Sequence, residues 1–357
     1  MEFQYSSVLE LPASETQGLN QGIPIRVHRN RDLEDYGAIR AQEDWSRSVE
    51  PLGFYKGGLA SRLGFISAVV PECLPDRLEY VSYVNEFEFI YDDMVDKLND
   101  ADASVEGDAR LEVFKMWTAE GSMPSYTSAK MELQAKLIRD ALAIDREAAM
   151  WTVKIWADYV EKGAGRKNHS GFKTLDDYIE YRYHDIGTML MTFEIAFGMG
   201  LVIPEHEHPI LLDLARPAWI SIALTNDLFS WGKECRFADQ QRIPHDQLFS
   251  SIPILMRQNS VGVEEAKENL RGEIRKYVTR YVKVVEENKD RTDFSPDLCR
   301  YLEALMYGIS GNLAYSIDCP RYNLERTYST RQLEWMTNGV PAVLPREDSG
   351  ETNDACA

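Results

Sequence analysis

From about Leu33 onward, the apolar residues of this 357-residue chain recur at helical rather than strand spacing. No stretch alternates apolar and polar residues as a half-buried strand requires, and there is no β-α-β rhythm or internal repeat. The clearest stripe is Leu78, Val81, Val84, Phe87, Tyr91, Met94 and Leu98, in a helix expected over 76–98 with Asp76, after Pro75, as its N-cap. A second helix is expected over 174–200, opened by the T-x-x-D capping box of Thr174 and Asp177. Further helical patterns cover roughly 130–161, 209–234, 263–287 and 297–316. The breaks at 97–109, 162–173 and 235–246 are loop-length, and none is a Pro/Ser-rich linker. The expectation is one all-α domain over 1–338, followed by a polar, Pro/Gly-punctuated and disordered tail over 339–357.

Charge narrows the function. With 58 Asp and Glu against 39 Lys and Arg, the formal charge is −19. Nucleic acid and anionic membrane surfaces are therefore poor partners, because both are bound mainly through cations. An anionic substrate would require added positive charge, which a metal ion commonly supplies. The apolar stretch Ile195–Pro204 holds two glycines and falls short of the ~20 residues of a spanning helix, so no stable membrane insertion is expected. The opening residues lack the basic and apolar regions of a signal peptide. Five cysteines (Cys73, Cys235, Cys299, Cys319 and Cys356), without a CxxC pair, fit a reduced, cytoplasmic protein.

Two motifs carry metal chemistry. Asp92-Asp93-Met94-Val95-Asp96 closes the 76–98 helix, and Asp92 and Asp96, four apart, share a face. Carboxylates at a helix C-terminus oppose the macrodipole at about 0.3–1 kcal/mol each. Breaking that rule repeatedly points to a compensating hard cation, although a generic acidic cluster is more often a solvated face. The second motif, Asn226-x3-Ser230-x3-Glu234, places an amide, a hydroxyl and a carboxylate on one helix face, a set suited to Mg²⁺ with waters. Lys233 stands beside it as a cation for phosphate. Arg321 and Tyr322 form a fork and a hydroxyl that also suit phosphate oxygens. Arg182, with Asp185 three residues on and Gly187 within the long helix, reads either as a tolerated glycine or as a deliberate break exposing a backbone carbonyl.

Together these residues resemble a class I terpene cyclase. The segments MEFQYSSVLE, GAIRAQEDW, GFISAVVPEC, YVNEFEFIYDD, SGNLAYSIDCPRYN and QLEWM are similar to the cyclase domain of fungal chimeric terpene synthases of the fusicoccadiene and ophiobolin F type, over most of residues 1–338. The resemblance implies a helical bundle of the class I terpenoid synthase fold around a central cavity. It also implies three Mg²⁺ ions held by Asp92, with Asp96 assisting, and by Asn226, Ser230 and Glu234. Arg182, Lys233, Arg321 and Tyr322 would then bind the diphosphate, and Asp185 would link Arg182 to the break at Ile186 and Gly187, where the Ile186 carbonyl points inward. The implied partners are an isoprenoid diphosphate and a prenyltransferase domain of a longer protein, and self-association is compatible with the pattern.

Metal ions and cationic donors stabilise the departing diphosphate and leave an allylic carbocation, so no protein nucleophile is needed. The hydrocarbon must be folded away from water by faces that tolerate positive charge. Candidate cavity residues are Phe65, Phe89, Trp156, Met191, Asn312 and Tyr315, weighed against ordinary core packing. Tyr315 stands where relatives resemble one another in having Trp, and Glu194 lies in an apolar stretch with no role read for it. The expected substrate is geranylgeranyl diphosphate, with geranylfarnesyl diphosphate as the alternative. A chain-elongating prenyltransferase is disfavoured, because it carries a second Asp-rich motif where this chain has Asn226, Ser230 and Glu234. A non-enzymatic helical module is the third reading. His206 and His208 are read as loop residues rather than metal ligands, His184 as structural, and Lys56-Gly57-Gly58 lacks the P-loop pattern.

Overall fold

The computed structural model describes residues 2–118, 128–163 and 171–342. Two three-residue strands, β1 (Ser6–Val8) and β2 (Arg26–His28), pair antiparallel, with Ser6 opposite His28. The carboxylate of Glu72 accepts the N–H groups of Gln4, Tyr5 and Ser6 at 2.7–3.0 Å, which fixes this ribbon to the helical body. The sequence pattern missed it because three residues are too few to show alternation.

The helices are α1 (Ala13–Thr16), α2 (Arg31–Ser48), α3 (Phe65–Val69), α4 (Pro75–Val95), α5 (Asp100–Thr118), α6 (Ala129–Ile144) and α7 (Arg146–Gly163). They continue as α8 (Leu175–Asp185), α9 (Thr188–Gly198), α10 (His208–Gln241), α11 (Ser251–Asn259), α12 (Val263–Asn288), α13 (Pro296–Asp318) and α14 (Thr330–Asn338). Among the described residues the architecture is all-α apart from the ribbon, as expected. Helix α4 lies between α2 and α9, α10 packs on α12 and α13, and α13 also covers α3. Every residue of α9 is buried, which places it at the centre of the bundle.

Four boundaries depart from the sequence pattern. Pro75 takes the first position of α4 and Leu74 the cap, so Asp76 sits in the first turn instead of capping it. Most of the 97–109 stretch is helix α5, because Asn99 accepts the N–H of Asp102 at 3.0 Å and satisfies a donor at the helix start. The 130–161 pattern is two helices parted at an extended Asp145, whose carboxylate accepts the Ala148 N–H at 3.0 Å and pairs with Arg77 at 2.5 Å. The 235–246 break begins only after Gln241, because α10 continues past Glu234 for two further turns.

The capping box at Thr174 forms as read, its hydroxyl accepting the Asp177 N–H at 3.1 Å. The long helix it opens is divided at Ile186–Gly187. Gly187 has φ of 85°, a left-handed conformation that interrupts α-helix and favours glycine. The tail beyond Ala342 lies outside the described residues, as does most of the 162–173 break.

Candidate active site

Four pieces of chain converge at one end of the bundle: the C-terminus of α4, the middle of α10, the α8–α9 break and the turn after α13. Asp92 and Asp93 lie in the last turn of α4, and Asp96 is its C-cap residue. The turn after α13 is held by Asn323, whose side-chain amide donates to the carbonyls of Ser316, Ile317 and Cys319 at 2.9–3.2 Å. Those bonds close the helix C-terminus and fix the position of Arg321 and Tyr322.

Asp93 is the electrostatic centre of this end. Both of its oxygens accept from the Arg321 guanidinium at 2.7 Å. One also accepts from Lys233 Nζ at 3.0 Å, and the other from the Tyr55 hydroxyl at 2.7 Å. Burial alone would raise this carboxyl, but Arg321 and Lys233 override it and hold Asp93 well below the usual carboxylate range. Arg321 donates as well to the Lys56 carbonyl at 2.9 Å and stands 4.9 Å over the Phe89 ring.

Arg182 forms the second charged node. Its guanidinium bonds Asp227 at 3.2 Å and the amide oxygen of Asn226 at 2.8 Å, and it pairs with Asp185 at the helix break. Asp227 is itself fixed by the Tyr178 hydroxyl at 2.7 Å and the Ser251 N–H at 2.9 Å. Asn226 joins this node to the α13 turn, because its Nδ2 donates to the Tyr322 hydroxyl at 2.8 Å. One amide thus ties Arg182 to Tyr322.

Asp92 and Asp96 carry the uncompensated charge. Asp92 is held above its ordinary range by lost solvation first, then by Asp93 and Asp185. Its side chain reaches solvent, so water in the mouth moderates the first of these. Asp96, also solvent-accessible, is pushed up to about 7 by lost solvation and by Asp92, with a smaller contribution from Glu234 of the facing helix. Ser230 is buried between Asn226 and Glu234 on α10.

Among the described residues no three His, Cys, Asp or Glu side chains form a ready-made metal cage. The donors are instead repelling carboxylates on one helix and an amide, a hydroxyl and a carboxylate on another. That oxygen-only chemistry fits Mg²⁺ ions that share their coordination with water and an anionic ligand.

Below the charged layer, Phe65 meets Tyr315 edge-on at 5.1 Å and Phe89 at 5.6 Å, while Tyr315 and Tyr322 lie 6.1 Å apart. The Tyr315 hydroxyl donates to the Gly57 carbonyl at 2.8 Å. Gly57 and Gly58 lie against the buried Glu86, whose carboxylate accepts the Gly58 N–H at 2.7 Å, so this glycine pair serves a close approach. Trp156 stands apart from the group, fully buried between Phe114 at 5.2 Å and Phe193 at 5.1 Å. Met191 and Asn312 are buried on α9 and α13. His208 stacks on Trp151 and bonds the Ile203 carbonyl at 2.9 Å, and His184 lies edge-on to Tyr183.

Tyr55, Asp93 as a hub, Asp227 and Asn323 were not singled out from the sequence. Asp93 and Asp227 sit inside the motifs that were read, next to the candidate residues Asp92 and Asn226, which was the available signal.

Residues 83–280 match terpene synthase family 2, C-terminal metal binding. A bifunctional type I diterpene synthase from Aspergillus flavipes is 42% identical over 99% of this chain and 46% of its own length. A bifunctional sesterterpene synthase from Aspergillus aculeatus is 38% identical over 97% of this chain and 48% of its own. The chain therefore spans about half the length of the curated relatives it matches. In fold it is similar to aristolochene synthase from Penicillium roqueforti, with a TM-score of 0.59 at 21% identity over 71% of this chain and 82% of that one.

Proposed function

This chain belongs to terpene synthase family 2, and we propose that residues 1–338 are a class I terpene cyclase domain that ionises geranylgeranyl diphosphate and cyclises the resulting carbocation to a polycyclic diterpene. The observation that carries this reading is the convergence of Arg182, Lys233, Arg321 and Tyr322 on the two oxygen-rich motifs. A diphosphate is the ligand class whose charge, denticity and need for metal such a group matches.

Asp92 and Asp96 would hold Mg²⁺ from the α4 side, and Asn226, Ser230 and Glu234 from the α10 side, three ions in all. The metal, when bound, supplies the positive charge that makes diphosphate a competent leaving group. The chain's own residues orient and exclude. Arg182 and Arg321 present forked donors, Lys233 a point charge and Tyr322 a hydroxyl, all at fixed positions. Asp185 and Asp227 hold Arg182 against the helix break. Phe65, Phe89 and Tyr315 offer aromatic faces to the carbocation at about 0.5–2 kcal/mol each and keep water away.

The longer relatives support a prenyltransferase domain that makes the substrate as partner of this one. The second reading, cyclisation of geranylfarnesyl diphosphate, is favoured by the similarity to a bifunctional sesterterpene synthase. Among the described residues no helix is long and apolar enough to cross a membrane. Incubation with each diphosphate and Mg²⁺, followed by gas chromatography, separates the readings. A twenty-carbon cyclic hydrocarbon is expected; product from only the twenty-five-carbon substrate would favour the second reading, and product from neither would overturn both.

A further inference from the structure

Tyr55, Lys56, Gly57 and Gly58 are consecutive residues of the segment between α2 and α3, and each is bonded to a different part of the candidate site. The Tyr55 hydroxyl donates to Asp93 at 2.7 Å, and the Lys56 carbonyl accepts from Arg321 at 2.9 Å. The Gly57 carbonyl accepts from the Tyr315 hydroxyl at 2.8 Å. Gly58 is held on both sides: its N–H donates to Glu86 at 2.7 Å, and its carbonyl accepts the Phe65 N–H at 2.8 Å. The segment descends from an exposed Phe54 to the buried Gly57 and Gly58, and so passes from the charged layer to the aromatic rings below it.

The lower half of this strap is shaped by Glu86. A Cβ on Gly57 would lie 1.9 Å from Glu86 Oε1, and one on Gly58 would lie 2.9 Å from Asn85 Nδ2 and 3.4 Å from the Phe89 ring. Neither glycine has a positive φ, so close approach rather than backbone conformation calls for them. Glu86 is completely buried on α4, and its second oxygen accepts the side-chain amide of Gln42 on α2 at 2.7 Å. With both oxygens engaged, the carboxylate cannot yield to a side chain without losing a bond. The dependence also runs the other way. A buried N–H left without an acceptor is strongly disfavoured, so loss of Glu86 would release Gly58 and the residues bonded through it.

We propose that Glu86 is a positioning residue of the cyclisation, one that acts through Gly57 and Gly58 to set where the Phe65, Phe89 and Tyr315 rings stand and, through the adjoining Lys56 carbonyl, to steady Arg321. This rests on the cyclase reading. Glu86 needs no contact with substrate, because it lies beneath the glycines and works through their backbone. The rings it positions are those that would face the carbocation, and which ring faces which carbon decides where the charge is favoured. One buried carboxylate thereby governs both the fold of the hydrocarbon and the hold on the diphosphate.

The test compares wild type, Glu86→Gln, Glu86→Ala, Tyr315→Phe and the Glu86→Ala/Tyr315→Phe double variant, each given geranylgeranyl and geranylfarnesyl diphosphates with Mg²⁺. KM and kcat for diphosphate release are measured together with the hydrocarbon profile. Glu86→Gln keeps an acceptor for the Gly58 N–H in the same volume and is expected to retain the wild-type profile. Glu86→Ala leaves that N–H unpaired and is expected to raise KM about tenfold and to change the profile. Tyr315→Phe removes only the hydroxyl bonded to Gly57 and is expected to change the profile with a smaller effect on KM. The double variant is expected to match Glu86→Ala rather than to combine the two changes, because both act through one contact. A wild-type profile at reduced yield from Glu86→Ala, a Glu86→Gln profile as altered as that of Glu86→Ala, or a double variant that sums the single changes overturns the proposal and leaves the cyclase reading standing. If Glu86→Ala does not fold, Glu86→Asp, whose shorter stem withdraws the acceptor, carries the same expectations. No diphosphate release by wild type from either substrate overturns the cyclase reading, and this proposal with it.

Discussion

Asp93 and Arg321, 228 residues apart in sequence, form a two-pronged ion pair with both N–H···O distances at 2.7 Å. The pair ties the C-terminus of α4 to the turn after α13, and Lys233 of α10 joins it at 3.0 Å. A single carboxylate therefore sets the relative position of three elements that carry the proposed diphosphate ligands.

Asp93→Asn keeps the shape but removes the charge that two cations share. Removing one partner of a buried pair destabilises by about 3–5 kcal/mol. Asp93 is one-fifth exposed, with a relative side-chain exposure of 19%, so the lower end is expected. Urea unfolding checks the stability loss. Diphosphate release is expected to fall by more than the folded fraction alone explains, because Arg321 loses its orientation.

Gly187→Ala tests the helix break. A Cβ there meets nothing within 4 Å, so the strain comes from the backbone, whose φ is 85°. The expected destabilisation is about 1–2 kcal/mol. If the break positions Asp185 and Arg182, turnover falls as well. An Ala variant as stable as wild type would show that the segment relaxes into continuous helix at no cost.

Phe89→Ala removes a ring that stands under Arg321 and packs edge-on against Phe65 at 5.6 Å. The expected outcome is a changed hydrocarbon profile with diphosphate release reduced by no more than about tenfold. Gas chromatography of the products distinguishes this from a purely structural effect, which would lower yield at an unchanged profile.

Stability should fall as pH rises from about 5 to 8. Glu34 is fully buried, with one oxygen accepting the Ile66 N–H at 2.7 Å and the other unpartnered, and burial pushes it up to about 8. Asp35 beside it is pushed up to about 6, again mainly by burial. The folded state therefore holds protons that the unfolded chain releases near pH 4–4.5. Stability from these groups is full below that range and is lost as pH rises through the folded values, at up to about 1.4 kcal/mol per pH unit per group. Urea midpoints across this range check the slope, and Glu34→Gln should flatten it. A wild-type midpoint that rises with pH over the same interval contradicts the assignment.

Much of the fold was legible because it rests on local rules. The stripe of α4, the capping box at Thr174 and the glycine within the 174–200 pattern all declare themselves over a few residues. What escaped depended on partners remote in sequence. Asp145 parts α6 from α7 by capping the Ala148 N–H, a local signal, and by pairing with Arg77 of α4, a contact that nothing near position 145 announces. In the site, the spacing of Asn226, Ser230 and Glu234 was plain, yet Asp227 between them proved to be the anchor of Arg182 and Tyr178. Trp156 carries the opposite lesson. An aromatic suited to a cavity wall lies between Phe114 and Phe193 in the core, since shape and charge at a distance decide which ring faces which space.

In the proposed function the acidic end of α4 and the Asn226 face of α10 act on one diphosphate. Inorganic diphosphate release from geranylgeranyl diphosphate, followed against Mg²⁺ concentration for wild type, Asp92→Ala and Asn226→Ala, tests it most directly. Mg²⁺-dependent release by wild type and a loss of at least about a thousandfold in each variant are expected, with both variants retaining helical circular dichroism. Equal release by wild type and the two variants, or release indifferent to Mg²⁺, would contradict it.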